Sequence, residues 1–141
     1  MAPSENETQA ASPPVPPGSV IGVGVDIIEI ERVRLAAERG GDRFVNRIFS
    51  GLEAGYCRGK RHPARHLAAR FAAKESVIKA LRVPAGLGWL WRDIEVSSAG
   101  GPPAIRLTGR ALERARALHV SRCHLSISHS DTHAIAMVVL T

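Results

Sequence analysis

Glu75 and Lys79 are the residues whose types and spacing most directly suggest chemistry in this chain of 141 residues. They lie four residues apart in a segment, residues 67–81, whose apolar side chains recur at helical spacing. The sequence therefore predicts a helix with a carboxylate and an ammonium on one face, and the small Ala68 and Ala72 leave room for a ligand beside them. A solvated ion pair worth a few tenths of a kcal/mol is the alternative.

A second carboxylate, Asp26, interrupts a β-rich segment, residues 20–28, that we predict to be a buried strand. Such a carboxylate costs several kcal/mol unless a cation, a metal or N–H donors pair with it. Capping of the helix predicted to follow over residues 29–38 is the structural alternative. Gly22 and Gly24 are too few for a dinucleotide-binding fingerprint, so a Rossmann site is excluded.

Asp26 and Glu75 together are the minimal protein contribution to a Mg²⁺ site, because Mg²⁺ keeps several waters and takes further ligands from substrate phosphates. Lys79 would add a point charge for the same phosphates. A site of this kind works by positioning and charge neutralisation and needs no covalent nucleophile. On spacing alone, the structural alternatives stay open beside this hypothesis.

The elements that must position these residues come in a mixed order. Glycines 40 and 41 end the first helix, a short helical region with a cap at Ser50 follows, and a Pro/Gly loop over residues 82–88 ends the long helix. Hairpins are predicted over residues 90–107 and 124–140, with an Arg-rich helix between them over residues 108–118. We therefore expect an α+β fold in which an antiparallel sheet packs with a long helix.

Composition limits the domain organisation and the partners. With 45% hydrophobic residues the chain can form one core, which we place in residues 20–141, after a Pro/Ser-rich tail over residues 1–19 that we predict to be disordered. The formal charge of +6 predicts an acidic partner, and only 4% of the residues are aromatic, which argues against a single-strand nucleic-acid binder.

Two further features indicate a cytoplasmic protein. Cys57 and Cys123 lack the spacing of a metal site, which favours reduced thiols. No segment reaches the ~20 apolar residues of a membrane span, and the N-terminus lacks the layout of a signal peptide.

Two motifs carry a resemblance to a known family. Residues 24–26 (GVD) and 71–79 (FAAKESVIK), about fifty residues apart, resemble the paired motifs of the 4′-phosphopantetheinyl transferases. Residues 26–30 (DIIEI), 65–70 (RHLAAR) and 125–130 (LSISHS) resemble the short bacterial branch of that family, the holo-[acyl-carrier-protein] synthases. The resemblance runs from residue 21 to residue 140 and leaves the N-terminal tail outside.

The resemblance implies transfer of the phosphopantetheine arm of coenzyme A to a serine of apo acyl carrier protein, with release of adenosine 3′,5′-bisphosphate, in fatty acid biosynthesis. It implies Asp26 and Glu75 as Mg²⁺ ligands and Lys79 as a catalytic and phosphate-binding residue. The proton acceptor is not given by a motif residue, so a metal-bound water and Glu29 both stay open.

The resemblance also implies a group of residues that bind coenzyme A, each with a structural alternative. Arg70 and Lys74 belong to the second motif, but Lys74 falls within the apolar stripe and could equally be a buried structural lysine. Gly86, in the Pro/Gly loop, could admit the adenine or simply end the helix. His129 matches the family histidine beside the coenzyme A phosphates, and its alternative is a hydrogen-bonded residue at the end of a strand.

The resemblance further implies a carrier-docking surface and an assembly. Arg32 and Arg39 share a face of the first predicted helix, where they could bind the acidic carrier protein or be ordinary solvated arginines. The short members of the family resemble closed homotrimers with active sites between subunits, so we expect a homotrimer. Nucleic-acid binding and a non-catalytic carrier-binding module are the rival functions, and no nucleic acid partner is expected.

Overall fold

The computed structural model describes residues 13–84, 88–98 and 100–141. Its elements in chain order are strand β1 (Gly22–Glu29), helices α1 (Ile30–Ile48), α2 (Gly51–Arg58) and α3 (Pro63–Ala80), a 3₁₀ helix (Gly88–Asp93), strands β2 (Ile94–Ser97) and β3 (Ala104–Leu107), helix α4 (Gly109–Ala117), and strands β4 (Cys123–His129) and β5 (His133–Leu140). Helices and antiparallel strands are mixed along the chain, so the predicted α+β class is confirmed. None of the described helices is long and apolar enough to cross a membrane.

The strands form two antiparallel sheets. The larger has the order β1-β5-β4, in which Asp26 lies opposite Ala136 and His129 lies opposite Ala134. The smaller is the hairpin of β2 and β3. Because β1 and β4 are the two edges of the larger sheet, Asp26 and His129 lie on opposite edges of it.

Helix α3 lies against the inner face of the larger sheet, and two glycines of β1 let the backbones approach. A Cβ atom on Gly24 would lie 1.9 Å from the carbonyl oxygen of Ser76, and one on Gly22 would lie 2.1 Å from that of Ala80. No side chain fits at either position, so β1 rests directly on the helix backbone. This contact places Asp26 beside the C-terminal turns of α3, where it pairs with Lys79.

The prediction that this strand is buried is wrong for the outer face of β1. The side chains of Val23, Val25 and Ile27 are exposed, while Gly24 between them is buried. The reason is that α3 covers only one face of the three-stranded sheet, so alternate residues point away from the core.

Several element boundaries differ from those predicted. The first helix is interrupted where predicted: Gly41 adopts the non-helical angles φ 55° and ψ −144°, so α1 consists of two helical segments joined at a kink, and the second ends at Ile48. Helix α3 begins at Pro63 because proline is well suited to the first turn of a helix. Residues 90–93 belong to the 3₁₀ helix, so the predicted strand starts at Ile94.

Of two other local predictions, one is confirmed and the other stays a prediction. The cap at Ser50 is confirmed, since its Oγ accepts a bond from the Glu53 N–H and the Glu53 carboxylate accepts one from the Ser50 N–H. Residues 13–19 of the predicted tail form no helix or strand, and residues 1–12 lie outside the described range, so the disordered tail stays a prediction.

Candidate active site

The two predicted metal ligands, Asp26 and Glu75, line the same cleft. Asp26 comes from β1 and Glu75 from α3, and both line a cavity of about 390 Å³ together with Arg32 of α1 and Trp91 of the 3₁₀ helix. The apolar residues of its wall include Ile28, Val33, Phe44, Ile48 and Phe71. The tertiary structure therefore brings together carboxylates that are 49 positions apart in the sequence.

Asp26 is paired with the third member of the predicted site. Its Oδ1 lies 3.0 Å from Nζ of Lys79, which also donates to the carbonyl oxygen of Val25 at 2.9 Å. The Lys79 side chain remains 52% exposed, so its ammonium can still reach a ligand. Asp26 does not cap the following helix, since the N-cap of α1 is Glu29.

Glu75 has a partner that the sequence did not reveal. Its Oε1 accepts a hydrogen bond of 2.6 Å from Nε1 of Trp91. Glu75 and Lys79 therefore do not form the simple exposed pair that their spacing allows, because each is bonded to a residue far away in sequence. A tryptophan among apolar residues gave no signal of this role.

Lys74 lies in the core, and its contacts are those of a structural lysine. Its Nζ lies 2.7 Å from Oε1 of Glu53, with both side chains at most 1% exposed, and it donates to the carbonyl oxygens of Trp91 and Ile94. Burial lowers the pKa of Lys74, and the Glu53 carboxylate opposes that shift. Of the two alternatives drawn from sequence, these contacts favour the structural one, because the buried ammonium is already bonded to three protein oxygens.

Arg70 is also buried and does not line the cleft. Its guanidinium lies 4.1 Å from the ring centroid of Tyr56 and donates to Oγ of Ser98 at 3.1 Å, while Nε has no partner. Arg70 precedes Glu75 by five residues, which places it about 140° around α3 from that carboxylate. The helix therefore presents Arg70 and Glu75 on different sides.

Four basic residues lie around His66, and we call Lys60, Arg65, His66, Arg70 and His129 the cation cluster. Burial first, and then the positive charges of the other four, lowers the pKa of His66. Lys60 lies 4.4 Å from the Tyr56 ring centroid, and Arg65 has a carboxylate, Asp131, at 3.6 Å. The sequence marked Arg70 and His129 through the family resemblance and carries a basic run over residues 59–65, but it did not show that these side chains lie together.

The remaining predicted residues are dispersed. Arg39 lies exposed on α1, away from the described residues that line the cleft, and Gly86 lies outside the described residues. Neither Arg32 nor Arg39 forms an ion pair with a described residue, whereas Arg34 between them is paired with Glu31 and Glu38. The charges of Arg32 and Arg39 are therefore not compensated by an ion pair with any described residue.

The donor set fits Mg²⁺ better than a metal held by protein alone. Among the described residues no three of His, Cys, Asp and Glu cluster as a metal site. Asp26 and Glu75 supply two carboxylates at a cleft open to solvent, and Mg²⁺ requires only one or two together with water and substrate phosphates.

Comparison with known proteins decides the family. The model of the 4′-phosphopantetheinyl transferase superfamily matches residues 22–138. The chain belongs to this superfamily. The family predicted from the two motifs is thereby confirmed, and the matched residues include both carboxylates of the cleft.

The curated relatives and solved structures that the chain resembles include several holo-[acyl-carrier-protein] synthases. The holo-[acyl-carrier-protein] synthase of Geobacter sp. (strain M21) is 44% identical over 122 residues, which cover 86% of this chain and 98% of that protein. That of Koribacter versatilis is 40% identical with the same coverage. The structure of the Neisseria meningitidis synthase matches with a TM-score of 0.76 and 30% identity over 87% of this chain and 99% of that one. The Helicobacter pylori synthase, solved in complex with coenzyme A, matches with a TM-score of 0.71 and 34% identity over 84% and 99%.

Proposed function

We propose that this chain transfers 4′-phosphopantetheine from coenzyme A to a serine of apo acyl carrier protein and releases adenosine 3′,5′-bisphosphate. The observation that carries the proposal is that Asp26 and Glu75, from the two separate family motifs, line one cleft with Lys79 bonded to Asp26. The relatives named holo-[acyl-carrier-protein] synthase support the carrier protein as one substrate, and the Helicobacter pylori synthase in complex with coenzyme A supports the other.

Asp26 and Glu75 would hold Mg²⁺, whose charge, when the ion is bound, neutralises the pyrophosphate of coenzyme A. Lys79 adds a second positive charge from the same side, and its bonds to Val25 and Asp26 fix its position. These residues orient the β-phosphate toward the attacking serine, which is the positioning role that phosphoryl transfer requires of a protein.

The cation cluster is the proposed binding region for the remaining phosphates of coenzyme A. Lys60, Arg65 and Arg70 all lie close enough to His66 to lower its pKa, and the carboxylate paired with one of them is Asp131, so the region keeps a net positive charge that favours an anion. His129 and Lys60 are exposed there. Arg70 is buried, and its guanidinium contacts the Tyr56 ring. The Helicobacter pylori relative bound to coenzyme A supports this type of ligand.

The acidic carrier protein is proposed to dock on the face of α1 that carries Arg32 and Arg39. Both are exposed and lack ion-pair partners among the described residues, so their charge is free to act on a partner. Arg32 also lines the cleft, which connects the docking face to the proposed metal site.

A homotrimer with active sites between subunits is the proposed assembly. The outer face of the larger sheet carries an apolar patch in which Val25 and Ile27 of β1 pair with Met137 and Ile135 of β5, and these side chains are 39–63% exposed. An exposed contiguous apolar patch is typical of a protein interface. Glu75 of the cleft and Arg70 of the cation cluster are, moreover, about 140° apart around α3, so a neighbouring chain is proposed to bring the two regions together.

The setting proposed for the reaction is fatty acid biosynthesis in the cytoplasm. Cys57 and Cys123 are free thiols, and burial raises the pKa of each to about 11. Thiols of this kind are unreactive and suit a reducing compartment.

One assay separates the proposal from its rivals. The purified protein is incubated with apo acyl carrier protein, coenzyme A and Mg²⁺, and the intact mass of the carrier is measured. We expect the mass to rise by one phosphopantetheine group, and chelation of the metal to prevent the change. Binding of the carrier without modification would instead indicate a non-catalytic module, and salt-sensitive binding of nucleic acid without reaction would indicate the other rival.

A further inference from the structure

Trp91 is the residue of the cleft whose contacts are not accounted for by the proposed chemistry. Its indole N–H donates to Oε1 of Glu75 at 2.6 Å. Indole nitrogen can only donate, and a bond to an ionised carboxylate is stronger than one between neutral groups. A carboxylate on a helix turns freely about its side-chain bonds unless a partner holds it, so this bond selects one orientation of Glu75.

Trp91 is itself held on several sides, although it lies in a short 3₁₀ helix. Its ring lies 5.7 Å from that of Phe71, at an interplanar angle of 52°, and the guanidinium of Arg47 lies 6.0 Å from the ring centroid. Its carbonyl oxygen accepts a bond of 2.8 Å from the buried ammonium of Lys74. The donor of the Glu75 bond therefore has a fixed backbone and a fixed ring.

The Lys74 ammonium, which donates to the Trp91 carbonyl oxygen, is itself held in place by Glu53. Lys74 is bonded to Glu53, and the other carboxylate oxygen of Glu53 accepts from the Val96 N–H at 3.1 Å. A fully buried ion pair with its hydrogen bonds satisfied is rigid, because any movement would leave a charge unpaired in the core. The chain of contacts runs from Glu53 through Lys74 and Trp91 to Glu75.

We propose that Trp91 is a positioning residue that orients the Glu75 carboxylate toward the cleft, so that one oxygen is held by the indole and the other is presented to the metal. The inference rests on the proposed metal role of Glu75 and extends it to a residue outside both family motifs. Groups that orient a metal ligand typically change metal affinity by about 10–100-fold when they are removed. Trp91 is not placed in contact with substrate, so its effect passes through Glu75.

The test is direct binding of Mn²⁺, used as a spectroscopic substitute for Mg²⁺ and followed by electron paramagnetic resonance in the presence of saturating coenzyme A. Trp91→Phe keeps a ring against Phe71 and removes the N–H donor. We expect Mn²⁺ to bind at least tenfold more weakly than in the unsubstituted protein. Arg58→Ala, which removes an exposed cation of α2 that is paired with Asp42 and lies outside the cleft, is the control and should bind Mn²⁺ normally.

A double substitution distinguishes orientation of Glu75 from a general loss of packing. Glu75→Gln alone should weaken Mn²⁺ binding, and adding Trp91→Phe to it should cause little further loss, because both act through one ligand. If Trp91→Phe fails to fold, Trp91 is replaced by its benzothiophene analogue, which has nearly the same shape and no N–H. Its Mn²⁺ affinity should fall in the same way.

The outcomes separate this inference from the proposed function. Unchanged Mn²⁺ affinity in a folded Trp91→Phe protein, or an equal further loss on top of Glu75→Gln, would overturn the positioning role alone. Failure of the unsubstituted protein to bind Mn²⁺ with coenzyme A present would overturn the metal site itself, and the inference with it.

Discussion

At the scale of single residues, the cleft depends on each carboxylate having a partner from another element. Lys79 compensates Asp26, and Trp91 holds Glu75. The Asp26–Lys79 pair is partly exposed, and such pairs contribute only about 0–1 kcal/mol to stability. Asp26 is therefore explained by a functional requirement better than by a contribution to folding.

This difference gives the first prediction. Asp26→Ala and Glu75→Ala should each abolish metal-dependent transfer and leave the melting temperature within a few degrees of the unsubstituted protein, because each removes a proposed metal ligand and little stability. Activity is measured beside a thermal melt, with Glu113→Ala, an exposed carboxylate of α4, as the control. Full activity in either variant would remove that residue from the metal site.

The buried pair of Glu53 and Lys74, unlike the Asp26–Lys79 pair, is expected to matter for stability. Removing one member of such a pair typically costs about 3–5 kcal/mol, since the other charge stays in the core without compensation. The family motif contains Lys74 beside Glu75, yet the first serves the core and the second the cleft. Adjacent residues of one helix point about 100° apart, so a motif can serve both purposes.

At the scale of elements, the contact between β1 and α3 positions the proposed site. Asp26 reaches Lys79 because the backbone of β1 rests on α3 at Gly22 and Gly24. Gly24 of the first motif and Gly22 just before it therefore have a packing role: they allow the close approach that brings the carboxylates to one cleft.

Gly24→Ala should accordingly destabilise the protein by about 1–3 kcal/mol or more, because the added methyl group would lie 1.9 Å from the Ser76 carbonyl oxygen. It should also reduce transfer activity by moving Asp26 away from α3. The matched control is Gly55→Ala in α2, where an added Cβ meets nothing within 4 Å and should stabilise the helix by about 0.5–1 kcal/mol. Chemical denaturation measures both, and similar stabilities for the two variants would refute the packing argument.

The face of α1 gives a prediction about the carrier protein. Reversing Arg32 and Arg39 to Glu should raise KM for the carrier and flatten the salt dependence of kcat/KM, with little change in KM for coenzyme A. Because Arg32 also lines the cleft, Arg39→Glu alone separates docking from effects on the site.

Arg34→Gln is the control for a charge on α1 outside this face, since Arg34 lies about 200° around the helix from Arg32 and is already paired with Glu31 and Glu38. Steady-state kinetics with each substrate varied provides the measurement. Equal increases in both KM values would point to misfolding or to a phosphate-binding role for these arginines.

At the scale of the whole molecule, the separation of the cleft from the cation cluster makes the proposed ring testable. If each site draws Glu75 from one chain and His129 from the next, chains carrying Glu75→Ala and chains carrying His129→Ala should complement each other. Random mixing in a closed ring restores about a quarter of all sites, and each mixed trimer that is isolated carries one restored site of its three, or about a third. The two chains are co-expressed with different tags, mixed assemblies are isolated through both tags, and transfer activity is compared with each variant alone.

No recovery in confirmed mixed assemblies would place His129 in the same chain's site or outside any site. The apolar patch supplies the control for assembly. Val25→Glu introduces a charge into its centre and should reduce the oligomeric state seen by sedimentation. A protein that sediments as a monomer before any substitution would argue against the ring itself.

The sequence by itself determined the family and most of the elements. The helical spacing of residues 67–81, the cap at Ser50 and the second hairpin follow from local patterns of side chains, and the structure has them. The candidate ligands Asp26 and Glu75 were also visible in sequence, because a carboxylate within an apolar pattern and a charged pair at helical spacing are local features.

The tertiary structure alone decided which residues meet. That Asp26 pairs with Lys79, that Trp91 bonds Glu75, that Lys74 lies in the core with Glu53, and that His66 lies among other cations all depend on contacts between distant segments. The exposed outer face of β1 was likewise hidden, because its valines and isoleucines look the same whether a second layer covers them or not. Periodicity reports which face of an element is apolar, whereas the partner of that face is fixed only when the chain packs.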